Sequence, residues 1–224
     1  MVSAMVCSLS VVGHAAPSGG VVTTGSATIA SSGTTTNINQ STQKASINWQ
    51  GFSIGSNESV NFNQPSASSI TLNRVVGNET SVIAGALNAN GKVFLLNSNG
   101  ILFTQGSSVN TSGLVASTLN LSDEDFNNNH FVFQGNGSQG SVINMGTINI
   151  ANSGYAALLG KEVSNQGVIV ATKGAVALSS GDKITLNFNG DSLMSVTIDE
   201  GTLNALVENK NAIYADGGKV IRDI

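Results

Sequence analysis

"VINMGTINIANSGYAAL", Val142 to Leu158, is followed almost at once by "VSNQGVIVATKGAVAL", Val163 to Leu178, and the second stretch repeats the first. Asn144 maps to Asn165, Gly146 to Gly167 and Ile148 to Ile169, each by 165 − 144 = 21 residues. Gly154 maps to Gly174 and Leu158 to Leu178 by 174 − 154 = 20, so one residue is lost at a bend. A third copy, "VENKNAIYADGGKV" from Val207, places Asn209, Ile213 and Gly218 each 209 − 165 = 44 residues beyond Asn165, Ile169 and Gly174, which leaves room for one intervening turn of the chain. A fixed period of about twenty residues, with several short strands per unit and Gly or Asn at the bends, is the pattern of a solenoid in which each rung covers its neighbour. The fold class expected is all-β: a right-handed parallel β-helix whose bends include the corner residues Asn144, Gly146, Asn165, Gly167, Asn209 and Gly218.

A second stretch, "VFLLNSNGILF" from Val93 to Phe103, has two local readings. Asn-Gly between apolar runs is a strong hairpin signal, because a type I′ turn needs positive φ at both central residues. The same residues also suit a solenoid corner, with Asn99 and Gly100 in left-handed conformations. These residues by themselves leave both readings open. Asparagine amides at such corners can bond a like amide one rung away, as Asn144 and Asn165 could; a generic turn is the plainer reading.

Composition agrees with a folded all-β chain. Of 224 residues only 10% are charged, against roughly a quarter in ordinary soluble domains, yet 40% are hydrophobic, in short alternating runs. The net charge of −4 supplies no basic stripe for phosphates, so neither nucleic acid nor an anionic membrane surface is expected as partner.

The first sixteen residues, "MVSAMVCSLSVVGHAA", form an apolar run ending in alanines, which reads as an export signal over residues 1–15 with cleavage after Ala15. The first basic side chain is Lys44, so the signal lacks its usual charged start and a buried N-terminal strand is the alternative. Residues 16–224 show no linker and are treated as one unit, expected to be the start of a longer exported protein. No later run reaches the ~20 apolar residues of a membrane helix, so no membrane insertion is expected. Cys7 is the one cysteine, and a mature chain without thiols forms no disulfide to obstruct threading through a pore.

Three local departures interrupt the coil. "ITLNFNGDSLMSVTI", within Lys183 to Asp199, alternates about Asn189-Gly190 and predicts a hairpin packed on the side of the coil. Ser122 before Asp123, Glu124 and Asp125 predicts a short helix with an N-cap and acids at its positive end. Thr202 before Leu203, Leu206 and Val207 predicts another. Strands in "GVVTTGSATIASSG" and "KASINWQGF" are expected to cap the N-terminal end, with Trp49 and Phe52 in its core.

Taken together, "INWQGFSIGSNESVNFNQPSASSITLNRVVGN", "SVIAGALNANGKVFLLNSNGILF", "GLVASTLNLSDEDF" and "SGYAALLGKEVSNQGVIVA" resemble the N-terminal secretion domain of two-partner secretion exoproteins of the filamentous-haemagglutinin and high-molecular-weight adhesin type, over about residues 47 to 224. The family's Asn-Pro-Asn-Gly-Ile motif falls on Asn97, Ser98, Asn99, Gly100 and Ile101, with serine where proline is usual. The resemblance implies a secretion motif at these five residues and, as partner, a cognate outer-membrane transporter with periplasmic POTRA domains. It also implies passage through the periplasm to the surface of a Gram-negative bacterium, templated folding there, and a host glycan or protein receptor for the full-length protein. The carrier part of a contact-dependent toxin shares this domain and is the first alternative.

Catalysis has little to build on. His130 is the one histidine beyond the export signal, which leaves no nucleophilic triad and no His/Cys metal cluster, and no cofactor is expected. A carbohydrate-active β-helix enzyme, the second alternative, needs converging carboxylates. Asp123, Glu124 and Asp125 read as a helix start, and Asp182, Asp191 and Asp199 lie at the hairpin, so the chain is not expected to be an enzyme.

Overall fold

Strands that alternate apolar and polar residues bury one face, whereas continuous apolar runs need cover on both. Both kinds occur here, and in a computed structural model they define a coil with one covered and one bare flank. The structure describes residues 15–137 and 139–223. Residues 1–14 of the expected export signal lie outside them.

The chain winds rung by rung. β1 (Val21–Thr24) and β2 (Ala27–Ser32) come first, then β3 (Thr35–Gln40) and β4 (Lys44–Trp49), β5 (Ser59–Asn63) and β6 (Ile70–Val75). The next rung is β7 (Ser81–Ile83), β8 (Ala86–Ala89) and β9 (Lys92–Leu96), followed by β10 (Ile101–Phe103) and the bent β11 (Ser108–Ser117). After an outward loop with α1 (Asp123–Asn127) and β12 (Val132–Gln134), the coil resumes with β13 (Ser141–Asn144) and the bent β14 (Thr147–Gly160), then β15 (Glu162–Asn165), β16 (Val168–Val170) and β17 (Ala175–Ser180). β18 (Lys183–Asn189) and β19 (Ser192–Glu200) leave it again before β20 (Leu206–Asn209), β21 (Ala212–Tyr214) and β22 (Lys219–Asp223).

Parallel pairing stacks these strands into three walls. The first runs β7, β10, β13, β15, β20. The second runs β3, β5, β8, the first half of β11 and of β14, β16, β21, and the third runs β4, β6, β9, the second halves of β11 and β14, β17, β22. This is the expected parallel β-helix. The predicted repeat is its register: Asn144 lies opposite Asn165 and Asn165 opposite Asn209. The 44-residue step is therefore one rung plus the hairpin, not two rungs.

Inside the coil, alternate residues of every wall meet in one core that includes Val60, Val93, Leu95, Phe103, Ile148, Ile169 and Val176. Outside the third wall lies a second core, where Leu72, Phe94, Leu96, Val115 and Leu159 are covered by Phe126, Phe131 and Phe133 of the outward loop and by Ile184, Leu186 and Leu193 of the hairpin. β9 is buried on both faces, which is why "KVFLL" is unbroken, while "TINI" of β14 alternates. Burying one such side chain as Phe94 stabilises by about 1.5–3 kcal/mol.

Polar clamps hold the added pieces on. Arg74 donates to Asn48, Asn120, the Leu121 carbonyl and Asp123. Lys44 donates to the carbonyls of Phe126 and Asn127, and Lys92 reaches Asp191 at the hairpin tip at 2.5 Å. Ser122 caps α1 as predicted, accepting from the Asp125 amide.

Four expectations change. No helix follows Thr202; Leu203 and Asn204 make a turn, Asn204 at φ +58°. The hairpin loop is Gly190-Asp191, since Asn189 still pairs with Ser192. "KASINW" is part of a rung, because β4 pairs in parallel with β6; the N-terminal cap is β1 and β2, antiparallel to β4 and β3. Trp49 and Phe52 do pack edge to face, but in the coil's own core. Fourth, of the pair Asn99-Gly100 only Gly100 takes positive φ, +111°.

Candidate functional site

The corner Asn97–Ile101 sits between β9 and β10, which belong to different walls and do not pair with one another. The hairpin reading of "VFLLNSNGILF" is thereby excluded. The turn closes with the Gly100 amide donating to the Asn97 carbonyl at 3.0 Å. Asn97, 1% exposed, is the hub: its Nδ2 donates to the Glu79 carbonyl and Ser81 Oγ, both at 2.9 Å, and its Oδ1 accepts from the Asn99 amide. A short polar side chain that offers two donors and an acceptor satisfies three groups that a buried bend would otherwise leave without partners.

Both neighbouring rungs grip the corner. On one side Asn99 Nδ2 donates to the Gly77 carbonyl and Thr80 Oγ1 to the Asn99 carbonyl, each at 2.9 Å. On the other, Gly140 lies so close that a Cβ there would stand 2.6 Å from the Ser98 carbonyl oxygen. Ile101 points into the core, while Ser98 and Asn99 are half-buried at the surface. They border two cavities, of about 730 and 540 Å³, and Arg74, Asp125 and Lys183 line the larger one.

The other predicted corner residues lie elsewhere on the rung. Asn144, Asn165 and Asn209 end the strands β13, β15 and β20 of the first wall as a buried-to-surface amide ladder, Nδ2 of each donating to Oδ1 of the next at 2.7 Å. Gly146 and Gly167 follow at the same bend. Gly218 lies at the bend between the second and third walls, stacked on Gly174 and Gly154. None of these glycines has positive φ. Their requirement is space: a Cβ on Gly167 would meet the Gly146 carbonyl oxygen at 2.1 Å, and one on Gly218 that of Gly174 at 2.0 Å.

Sequence reading missed a second amide ladder, on the outer face of the second wall. Asn61 donates to Asn37, Asn88 to Asn61, Asn110 to Asn88 and Asn149 to Asn110, at 3.0–3.1 Å. Its signal was the recurrence of "NIN", "NFN", "LNAN" and "INIA", obscured because the spacing drifts with loop length.

Charge plays a small part. Burial lowers the Lys44 pKa, the hydrogen bond from Lys210 lowers that of Glu208, and burial followed by the Asp191 charge raises that of Tyr155. His130 stands exposed with Asp125 at 4.0 Å. Among the described residues no group of three or more His, Cys, Asp and Glu could hold a metal ion, and no helix is long and apolar enough to cross a membrane.

Known proteins share this architecture. The heme/hemopexin-binding protein of Haemophilus influenzae strain Rd is 38% identical over 206 residues, 89% of this chain and 23% of the relative. A second heme/hemopexin-binding protein from Haemophilus influenzae is 35% identical over 80% of this chain and 21% of its own. The chain thus spans less than a quarter of the curated relatives it matches. The crystal structure of the HMW1 secretion domain from Haemophilus influenzae superposes with a TM-score of 0.86 at 34% identity, over 92% of this chain and 57% of that one. The toxin-carrier and enzyme alternatives find no support in these relatives. The TPS secretion domain family model matches residues 13–221, and the chain belongs to that family.

Proposed function

We propose that the transporter reads this domain at the corner Asn97, Ser98, Asn99, Gly100 and Ile101. The supporting observation is that the corner is held from both neighbouring rungs while Ser98 and Asn99 stand on the rim of two cavities. The chain enters the periplasm behind the export signal at residues 1–15 and meets the POTRA domains there. It then folds outside, with Asn144, Gly146, Asn165, Gly167, Asn209 and Gly218 setting the register of successive rungs. Burying each rung on the last supplies direction where no nucleotide is available. A domain devoted to recognition and folding has no catalytic task.

Export measured in cells that carry the transporter tests the assignment. Ser98→Lys changes a rim residue and leaves Asn97 and Gly100 intact, so it should cut the secreted fraction severalfold with an unchanged melting temperature. Wild-type export would remove the corner from recognition.

The names of the curated relatives favour one cargo, a heme- or hemopexin-binding exoprotein, over a glycan- or protein-binding adhesin. Retention of the full-length secreted protein on immobilised heme or hemopexin tests this, and passage through both resins would set it aside.

A further inference from the structure

We propose that the outer face of the second wall is a binding site for a neutral, hydroxyl-rich polysaccharide, independent of export. The row Asn37, Asn61, Asn88, Asn110, Asn149 continues in register to Val170 and Tyr214. Across these seven strands it extends about 29 Å at the usual inter-strand spacing.

Three properties set the ligand class. First, the outward positions of the first six strands carry amides, hydroxyls and small aliphatic groups and no ionisable side chain, so nothing there selects or tolerates a buried charge. Second, the amides are held in place before any ligand arrives. Asn61, Asn88 and Asn149 each give one Nδ2 hydrogen to the ladder and keep the other, together with a carbonyl lone pair, for solvent or ligand. Adjacent donor and acceptor groups repeated once per strand match the vicinal hydroxyls of a sugar chain, whose units are close in length to that spacing. Third, two adjoining shallow depressions lie open along the row. A cavity of about 360 Å³ runs beside Asn37, Asn61 and Asn88, and one of about 330 Å³ continues it past Asn110 to Asn149, the two sharing Ala89 and Asn110. Tyr214, 54% exposed, closes the row with a ring on which the apolar face of a pyranose can stack.

Isothermal titration of the purified domain with hexasaccharides of neutral β- and α-glucans, mannan and galactan, alongside a sulfated glycan, tests the proposal. At least one neutral chain should bind, with affinity reduced tenfold or more by Asn88→Thr/Asn110→Thr and unchanged by Met145→Ser at the bend after β13. Tyr214→Ala, at an exposed ring, keeps the test sound if the double variant misfolds; it should weaken binding at least threefold. Absence of binding to every neutral chain, binding to the sulfated glycan alone, or binding indifferent to the asparagines and Tyr214 would overturn the proposal. Because export is measured separately, failure here leaves the transporter reading untouched.

Discussion

Gly100 and Gly201 separate a glycine that its backbone conformation requires from one that neither φ nor space requires. Gly100 holds φ +111°, which L side chains rarely adopt; Gly201 has ordinary φ and open space around its missing Cβ. Gly100→Ala should therefore lower unfolding free energy by about 1–3 kcal/mol, whereas Gly201→Ala should be neutral or raise it by up to about 1 kcal/mol, both read from urea midpoints. Tyr155 carries a different residue-scale consequence. Its folded pKa is raised by burial and then by Asp191, so above the ordinary value of about 10 the unfolded chain loses a proton that the folded chain keeps. The contribution is fully present below pH 10 and is lost as pH rises, by at most about 1.4 kcal/mol per unit. Urea midpoints between pH 9 and 11 should fall less steeply for Tyr155→Phe than for the parent; equal slopes would refute the assignment. The legible residues were those whose role is local. Asn97 and Gly100 declare a bend by type alone, but that Gly167 and Gly218 are needed for closeness to the rung before, and not for φ, depends on a neighbour twenty or more residues away.

At the scale of elements, legibility follows how far a pattern must reach. The strands of β18 and β19 could be read from period-two alternation, and α1 from Ser122 and three acids, because each signal lies within one element. The turn after Thr202 departs from the expected helix for the same reason: Leu203, Leu206 and Val207 have helical spacing, yet Leu206 and Val207 are taken by parallel pairing with Glu162 and Val163. Nor could one element show that α1, β12 and the hairpin together roof the third wall. The two amide ladders give the element-scale prediction. Asn165 is buried and bonded on both sides, so Asn165→Ala leaves Asn144 Nδ2 without its partner in the core and should cost about 1–3 kcal/mol. Asn61 stands at the surface where water replaces the lost bonds, and Asn61→Ala should cost about 0.5–1 kcal/mol. Equal losses in denaturant unfolding would mean that ladder position, not burial, sets the value.

Over the whole molecule, burial is graded along the axis. β6 and β9 lie between two strands of their own wall and between two cores, with little exposed surface. The three strands of the rung formed by β20, β21 and β22 are partly exposed throughout, and Leu206, Tyr214 and Val220 are 37%, 54% and 47% accessible. At the opposite end, β1 and β2 close the coil by antiparallel pairing, which ends the parallel ladder there and removes a template for further stacking. A coil sealed at one end and graded toward the other should open from the less buried end, because a rung that shares fewer apolar contacts can be released at lower cost. Native-state hydrogen exchange measures this directly. Amides of β6, β9 and the second half of β11 should exchange only with global unfolding, and those of β20 to β22 at least tenfold faster. Fast exchange in β4 and β6 with protection of β20 to β22 would reverse the polarity and remove the basis for assembly outward from the N-terminal rungs.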